Sequence, residues 1–446
     1  MSEESLFKQT DIGRIPKQWS IKMFEELFEI PLRNGLTRPK RVRGTGIKMI
    51  NMGELFAYDR LSSNITMDKV PVSSEEIQKF SAKKDDLLFA RQSLVVEGAG
   101  KCSIIINDKN QMTFESHLIR VRLNQKIANP MFYFYFFKSS LGRNIISSII
   151  EQVAAAGIRG RDLSKLPVIY PNLKEQDAIA EILTTIDDKI QLNRQMNTTL
   201  EQMAQAIFKY WFIDFEFPDE NGQPYRSSGG EMVDSELGEI PAGWEVKSFA
   251  DTIEVIGGGT PKTSVTEYWN GDIPWFSVVD APNPFDVWVL DTEKKITQLG
   301  VEKSSTRILP IGTTIISARG TVGRVALVGV PMAMNQSCYG FRGKNENEGF
   351  FTYFSTLALV LDFRQKSHGS VFSTITKDTL KGVTVVLPPS HIIQSFEQRV
   401  APILWRIREN VFESRTIAEL RNTLLPQLIS GQLRVKDAEK TMEQSI

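Results

Sequence analysis

One stretch of this chain is written twice. Ile12-Gly13-Arg14-Ile15-Pro16-Lys17-Gln18-Trp19 returns about 225 residues later as Leu237-Gly238-Glu239-Ile240-Pro241-Ala242-Gly243-Trp244. Gly, Ile, Pro and Trp keep their places. Each copy continues with an apolar residue, a Lys and, two positions on, a Phe (Ile21-Lys22 to Phe24; Val246-Lys247 to Phe249). Further on, Leu87-Leu88-Phe89-Ala90-Arg91 resembles Ile315-Ile316-Ser317-Ala318-Arg319, with Gly100-Lys101 and Gly323-Arg324 following. Each half then has a strand-like run ending in Pro, Leu166 to Pro171 and Val383 to Pro388. A Glu-Gln pair stands after each, at Glu175-Gln176 and Glu397-Gln398. A chain that repeats itself at this period folds as two like parts.

Each Glu-Gln pair opens a stretch that reads as a long helix. Stepping alternately by three and four from Ile179 meets Ile182, Ile186, Lys189, Asn193, Met196, Leu200, Met203, Ile207 and Tyr210. All but Lys189 and Asn193 are apolar, the narrow stripe of a coiled-coil seam. No Gly or Pro interrupts Leu173 to Tyr210. At the helical rise such a rod is about 55 Å long. A narrow seam needs a partner, and the second rod offers Phe396, Val400, Ile403, Ile407, Val411, Ala418, Leu425 and Leu428. Ser414 and Arg421 interrupt that stripe, and Pro402 is expected to break or kink its first turns. The plainer reading is that each rod packs on its own domain as a core helix.

The globular parts mix short β-branched and aromatic runs with Gly, Asn and Pro turns, for example two strands around Arg319-Gly320-Thr321-Val322-Gly323. Helical stretches also occur, as around Tyr133 to Ile150, without regular strand–helix alternation. The expected fold class is α+β: two pseudo-symmetric globular domains separated by two long antiparallel coiled-coil helices. The expected boundaries are 1–171 for the first domain, 172–216 for the central helix and 217–235 for a linker. The second domain takes 236–389, the second helix 390–435, and 436–446 is a disordered tail.

No run of about eighteen apolar residues exists, so no membrane span is expected. Met131 to Phe137 is too short and reads as a buried element. Met1 to Thr10 has no apolar core of a signal peptide, which points to the cytoplasm. Cys102 and Cys338, far apart, read as reduced thiols.

The chain of 446 residues has zero formal net charge, unevenly shared. Residues 1–170 hold 26 Lys+Arg against 18 Asp+Glu, and residues 236–389 hold 14 against 16. Six basic residues and no acid fall between Ile30 and Gly53: Arg33, Arg38, Lys40, Arg41, Arg43 and Lys48. A basic stretch rich in Gly, Asn and Thr suits a loop that touches phosphates; a solvated loop without a partner reads the same way.

Signs of chemistry are few. His117, His368 and His391 stand in no metal-spacing motif. Gly98-Ala99-Gly100-Lys101 is not a phosphate loop, because Val95 stands where Gly belongs and Cys102 where Ser or Thr belongs. Gly257-Gly258-Gly259-Thr260-Pro261 lacks dinucleotide spacing. There is no Asn/Asp-Pro-Pro-Tyr/Phe sequence; Asn129-Pro130-Met131-Phe132 is the nearest approach. The chain reads as a binder and organiser, not a catalyst.

With these pieces in place the chain resembles the specificity subunit of type I restriction–modification systems. The resemblance covers nearly its whole length. It is carried by the two Leu/Ile-Gly-x-Ile-Pro-x-x-Trp openings and the Gly257 to Pro261 block. Tyr268-Trp269-x-Gly271-x-Ile273-Pro274-Trp275 and Ala318-Arg319-Gly320-Thr321-Val322-Gly323 come next. The Glu-Gln helix starts, Phe208-Lys209-x-Trp211-Phe212-x-Asp214-Phe215 and Leu424-Leu425-Pro426-x-Leu428-x-Ser430-Gly431 complete it. The first half departs from the pattern, having Asn34-Gly35-Leu36-Thr37-Arg38-Pro39 in place of the Gly-rich block.

The resemblance implies two target-recognition domains, each reading half of a split double-stranded DNA site. It implies two methyltransferase subunits and two restriction subunits as partners. S-adenosylmethionine, ATP and Mg are expected on those partners, with no cofactor or metal on this chain. A rival reading keeps the fold without the DNA: a non-catalytic two-ended protein scaffold.

For DNA contact, Lys and Arg serve phosphates and forked donors serve base edges. In the first domain the candidates are Arg33, Arg38, Lys40, Arg41, Arg43, Arg91, Gln92 and Lys101. Arg159 and Arg161, in the Gly-flexed loop Gly157 to Arg161, join them. In the second domain they are Lys262, Thr263, Arg319, Thr321, Arg324, Gln336 and Ser370. Arg91 and Arg319 stand out because they are expected at equivalent places. The first rod, with four basic and six acidic residues from Lys174 to Tyr210, is expected to space the domains and dock partners.

Overall fold

A computed structural model describes residues 6–152, 156–282, 286–344, 349–366 and 374–443. Ser370 lies outside the described residues. Its contacts divide the chain into two compact units. Unit 1 is Met1–Lys189 with Ile417–Ile446; unit 2 is Ile190–Thr416. The division therefore falls within both rods, α1 (Leu173–Phe212) and α2 (Ser390–Ser430), and not at their ends.

Each unit carries a five-stranded sheet. In unit 1 the strands are β1 (Phe28–Asn34), β2 (Arg60–Ser62), β3 (Leu87–Ala90), β4 (Cys102–Asn107) and β5 (Leu118–Leu123), in the order β1-β5-β3-β4-β2. In unit 2, β6 (Ile253–Gly257), β7 (Trp288–Val289), β8 (Thr314–Ser317), β9 (Val325–Val328) and β10 (Cys338–Gly343) take the order β6-β10-β8-β9-β7. The directions match as well: only β2 with β4, and β7 with β9, are parallel. A three-stranded layer also recurs. Ile47–Ile50 lies between Met112–Phe114, parallel, and Lys69–Val70, antiparallel. Trp269–Phe276 lies between Ala333–Met334, parallel, and Lys295–Ile296, antiparallel. Duplication thus extends to pairing order and direction.

The doubled opening motif folds as the return strand of a hairpin. Phe7 pairs Pro16 and Thr10 pairs Gly13; Met232 pairs Pro241 and Ser235 pairs Gly238. Gly13 and Gly238 sit at φ +118° and +94°, where a side chain would be strained. The hydroxyls of Thr10 and Ser235 donate to the carbonyls of Gly13 and Gly238, each at 2.6 Å.

α1 begins at Asn172, whose side chain accepts the N–H of Glu175 at 3.1 Å. α2 ends at Gly431, φ +70°. The two helices run antiparallel. In unit 2, Asn193 Nδ2 donates to Glu413 Oε2 (2.8 Å), to Ser414 Oγ (3.2 Å) and to the Asn410 carbonyl (3.4 Å). Asn410 Nδ2 donates to Asn197 Oδ1 at 2.9 Å, and the Phe212 and Phe396 rings meet at 4.9 Å. In unit 1, Arg421 pairs with Asp187 at 2.7 Å.

The seam differs from the expected stripe. Ile179, Ile182 and Ile186 are buried, but the line continues through Ile190, Asn193, Asn197, Glu201, Ala204, Phe208 and Trp211. Met203 is 49% exposed, and Met196, Leu200 and Ile207 lie half-buried on the flank. On α2, Val400, Ile407, Leu425 and Leu428 are buried, while Ile403 and Val411 flank the line through Leu404 and Asn410. The buried steps on α1 average about 3.6 residues, close to the helical period. Apolar spacing alone misses part of the facing edge, because around Asn193, Asn197 and Asn410 the helices face each other through a polar layer.

α2 also runs without a break through Pro402 and Pro426. Pro402 is exposed, and Val400, Leu404 and Ile407 around it are fully buried in the unit 2 core. That packing offsets the hydrogen bond a proline removes. The expected disordered tail is in part a helix, Val435–Glu443, with Ala438 buried. Met131 to Phe137 lies in the helix Pro130–Lys138, with Phe132 to Phe137 buried.

Candidate nucleic-acid interface

The basic residues fall into two groups. Some are tied into the fold. Arg38 pairs with Glu76 at 2.6 Å and donates to the Pro71 carbonyl at 3.1 Å. That guanidinium and the Ser73 N–H hold the Glu76 carboxyl below its ordinary range. Arg43 pairs with Asp68 at 2.7 Å. Lys48 donates to the carbonyls of Ser63 and Ile65. Lys101 donates to the Phe56 carbonyl at 2.8 Å and lies 3.5 Å from Asp59. Burial opposes the Asp59 charge, but Lys138 at 2.6 Å and Lys101 outweigh it and lower the pKa. Arg324 donates to the Pro282 carbonyl at 3.0 Å. Arg159 meets Glu151 at 2.6 Å, an exposed pair that competes weakly with a ligand. These cations first hold loops in shape.

The rest are available. Lys40 and Arg41 stand exposed on a short turn, and Arg161, Lys262 and Arg319 are exposed; none makes an ion pair among the described residues. Arg33 is exposed with its guanidinium 5.3 Å from the Phe80 ring centre. Arg91 is half-buried and Gln92 exposed. Thr263 and Thr321 are exposed, and Gln336 accepts the hydroxyl of Thr260.

Backbone hydrogen bonds fix which positions correspond. The N–H of Ala90 meets the Lys101 carbonyl, as that of Ser317 meets Arg324. The N–H of Gly100 meets the Ala90 carbonyl, as that of Gly323 meets Ser317. The Arg91 carbonyl accepts from Ile158 and the Ala318 carbonyl from Ile375. Arg91 therefore corresponds to Ala318, and the expected match of Arg91 with Arg319 is out by one. The counterpart of Arg319 is Gln92: Gln92 pairs with Gly157, and Arg319 with Thr374. The departing Gly block resolves similarly. The Leu36 N–H meets Phe114 as the Gly259 N–H meets Met334. A Cβ on Gly35 or Gly258 would overlap the Phe114 or Asn335 carbonyl oxygen.

The turn after β3 also carries a feature absent from the sequence candidates. Leu94 is 99% exposed, Val95 58% and Val96 39%. A run of three consecutive aliphatic residues beside turn glycines was the available signal.

Among the described residues no His, Cys, Asp and Glu grouping fit for a metal ion occurs. Both thiols are free and buried, and burial pushes Cys338 up to about 12. No described helix is long and apolar enough to cross a membrane.

The model of the family "Type I restriction modification DNA specificity domain" matches residues 16–202 and 241–421, one stretch in each half. The chain belongs to this family. It is similar to the HindI specificity subunit of Haemophilus influenzae, 26% identical over 408 residues, covering 80% of this chain and 88% of that one. It is also similar to the MjaIX specificity subunit of Methanocaldococcus jannaschii, 24% identical over 441 residues, covering 97% and 98%. Its fold is like that of a type I restriction–modification S subunit from M. genitalium, with a TM-score of 0.55 at 14% identity over 92% and 96% of the chains. As a specificity subunit, its role is DNA sequence recognition.

Proposed function

We propose that this specificity subunit reads a split double-stranded DNA site, one half with each unit, and is not itself a catalyst. It carries two methyltransferase and two restriction subunits; S-adenosylmethionine, ATP and Mg reside on them, in the cytoplasm. The observation that supports two-part reading is the pairing match between the sheets, which puts exposed Gln92 and exposed Arg319 at one position of one framework. Two readers of one framework with different side chains at its edge suit two different half-sites. Relatives named as type I restriction enzyme subunits support the partner assignment.

Arg319→Ala tests this reading. The assembled methyltransferase carrying it is expected to bind its target at least tenfold more weakly at moderate salt, with an unchanged unfolding transition. Unchanged affinity in a gel-shift titration removes Arg319 from the interface. Target binding that is equal with and without this chain overturns the reading.

A further inference from the structure

The turn that joins the third and fourth strands of each five-stranded sheet differs in length between the two units. Between the equivalent pairs Ala90/Gly100 and Ser317/Gly323 there are nine residues in unit 1 and five in unit 2. The framework on both sides is shared, and the backbone hydrogen bonds that anchor the two ends of the turn correspond. The extra length lies between those anchors and includes the exposed run Leu94 to Glu97.

The two tips present different chemistry. Unit 1 offers Gln92, exposed, then Leu94, Val95 and Val96, exposed by 99%, 58% and 39%. Unit 2 offers Arg319 and Thr321, both exposed. A glutamine amide has both a donor and an acceptor, the complement of adenine N7 and N6 in the major groove. Aliphatic carbon in that groove finds its match in the thymine methyl group. Adenine and thymine occupy one base pair, so the amide and the aliphatic tip agree on it. An arginine fork has only donors and matches guanine O6 and N7.

Nothing in the fold requires Leu94 where it is. With Val95 and Val96 it forms a contiguous exposed aliphatic tip, the kind of surface that a partner completes. Cations stand close by in the pairing. The strand containing Gln92 pairs with Ala156–Gly157, and the exposed Arg159 and Arg161 follow directly. A duplex provides the phosphates that those cations complement.

We propose that Gln92 and Arg319 are equivalent base-reading positions: Gln92, with Leu94 beside it, reads an A·T pair in one half-site, and Arg319 reads a G·C pair in the other. This rests on the split-site reading above.

The test uses the full chain assembled with its methyltransferase subunits, after the methylated motif has been mapped. Arg319→Gln and Gln92→Arg are compared on a library randomised across the target. Arg319→Gln is expected to turn one guanine position towards adenine in one half-site, and Gln92→Arg one adenine position towards guanine in the other. Should either variant be inactive, the unaltered complex is titrated with targets carrying uracil for thymine. Removal of one contacted methyl is expected to weaken binding about fourfold, in one half-site alone, and the difference vanishes in Leu94→Ser. An intact preference that neither variant shifts, together with indifference to uracil in both halves, overturns the assignment while leaving split-site reading in place. Loss of methyltransferase assembly in Leu94→Ser, with uracil again without effect, gives the tip to a protein partner and likewise overturns it. Absence of any sequence preference dependent on this chain is instead the failure of the split-site reading.

Discussion

The indole N–H of Trp19 donates to Glu175 Oε2 at 2.9 Å. The last residue of the opening motif is thereby bonded to the first turn of the long helix, across 156 positions of sequence. The second copy of the motif spends the same residue types otherwise. Trp244 packs its ring 5.0 to 6.0 Å from Phe217, Phe215 and Phe212, and Glu397 accepts the Phe351 N–H at 2.7 Å. Glu175→Leu leaves the Trp19 indole without its acceptor and should cost about 1–3 kcal/mol. A urea titration of the variant beside Trp19→Phe, which removes the donor instead, checks it.

Two adjacent glycines should behave oppositely. A Cβ on Gly258 meets the backbone of Asn335, whereas one on Gly257 has nothing within 4 Å. Gly258→Ala is expected to lose about 1–3 kcal/mol through overpacking, and Gly257→Ala to leave the melting temperature nearly unchanged. Calorimetry of the pair reads the contrast.

The polar layer between the rods should trade stability for alignment. Asn193 and Asn410 are almost fully buried, and the Oδ1 of each lacks a donor among the described residues. Replacing both with Leu should raise the melting temperature while admitting a second alignment of α1 on α2. Spin labels at Gln195 and Glu409, both exposed, should then show a second distance, displaced by about 10 Å for one heptad. A single unchanged distance removes the layer's role in alignment.

Glu201 sets a pH dependence. Burial raises its pKa first of all, and Asp286 raises it further, while Gln205 at 3.1 Å lowers it. A carboxyl raised on folding contributes stability below its ordinary value of 4.5 that is lost as pH rises through the folded value. Glu201→Gln should therefore be more stable than the parent at pH 7, and the gap should close as pH falls below that ordinary value. Urea midpoints across pH 4 to 8 measure it; a gap independent of pH contradicts the assignment.

Lys40 and Arg41 separate phosphate contact from folding. Both are exposed and make no ion pair among the described residues, unlike their neighbours Arg38 and Arg43. The double alanine variant should reduce the slope of log affinity against log salt by about 2, with equal loss on any sequence. Arg38→Ala should instead be read in thermal stability, because it strands Glu76.

The duplication was legible because its marks are backbone demands. Gly13 and Gly238 stand at positive φ, and Pro16 and Pro241 close equivalent hairpins. Such residues are not exchangeable and survive as a pattern. The existence and span of the rods were legible for a similar reason. Their facing edge was legible only in part, since Asn197 is buried against Asn410 of α2 and Glu201 beside Gln205, and a search for apolar residues steps past those two although it meets Asn193. The Arg91–Arg319 match misled because two N–H groups, of Ala318 and Arg319, both reach the Ser337 carbonyl, whereas Arg91 alone reaches His117. A one-residue shift at a strand end leaves no trace in composition. Nor does sequence tell a lysine that ties down a loop, as Lys101 does, from one left open, as Lys40 is.

Unit 1 is composed of Met1–Lys189 and Ile417–Ile446, and this has a consequence for synthesis. On the ribosome the first 189 residues emerge without the segment that completes their helix pair, and the whole of unit 2 is made in the meantime. Asp187, which pairs with Arg421 in the finished molecule, emerges long before its partner. The half translated first is thus finished last, and a message cut short after unit 2 delivers that unit whole and unit 1 without its Ile417–Ile446 segment.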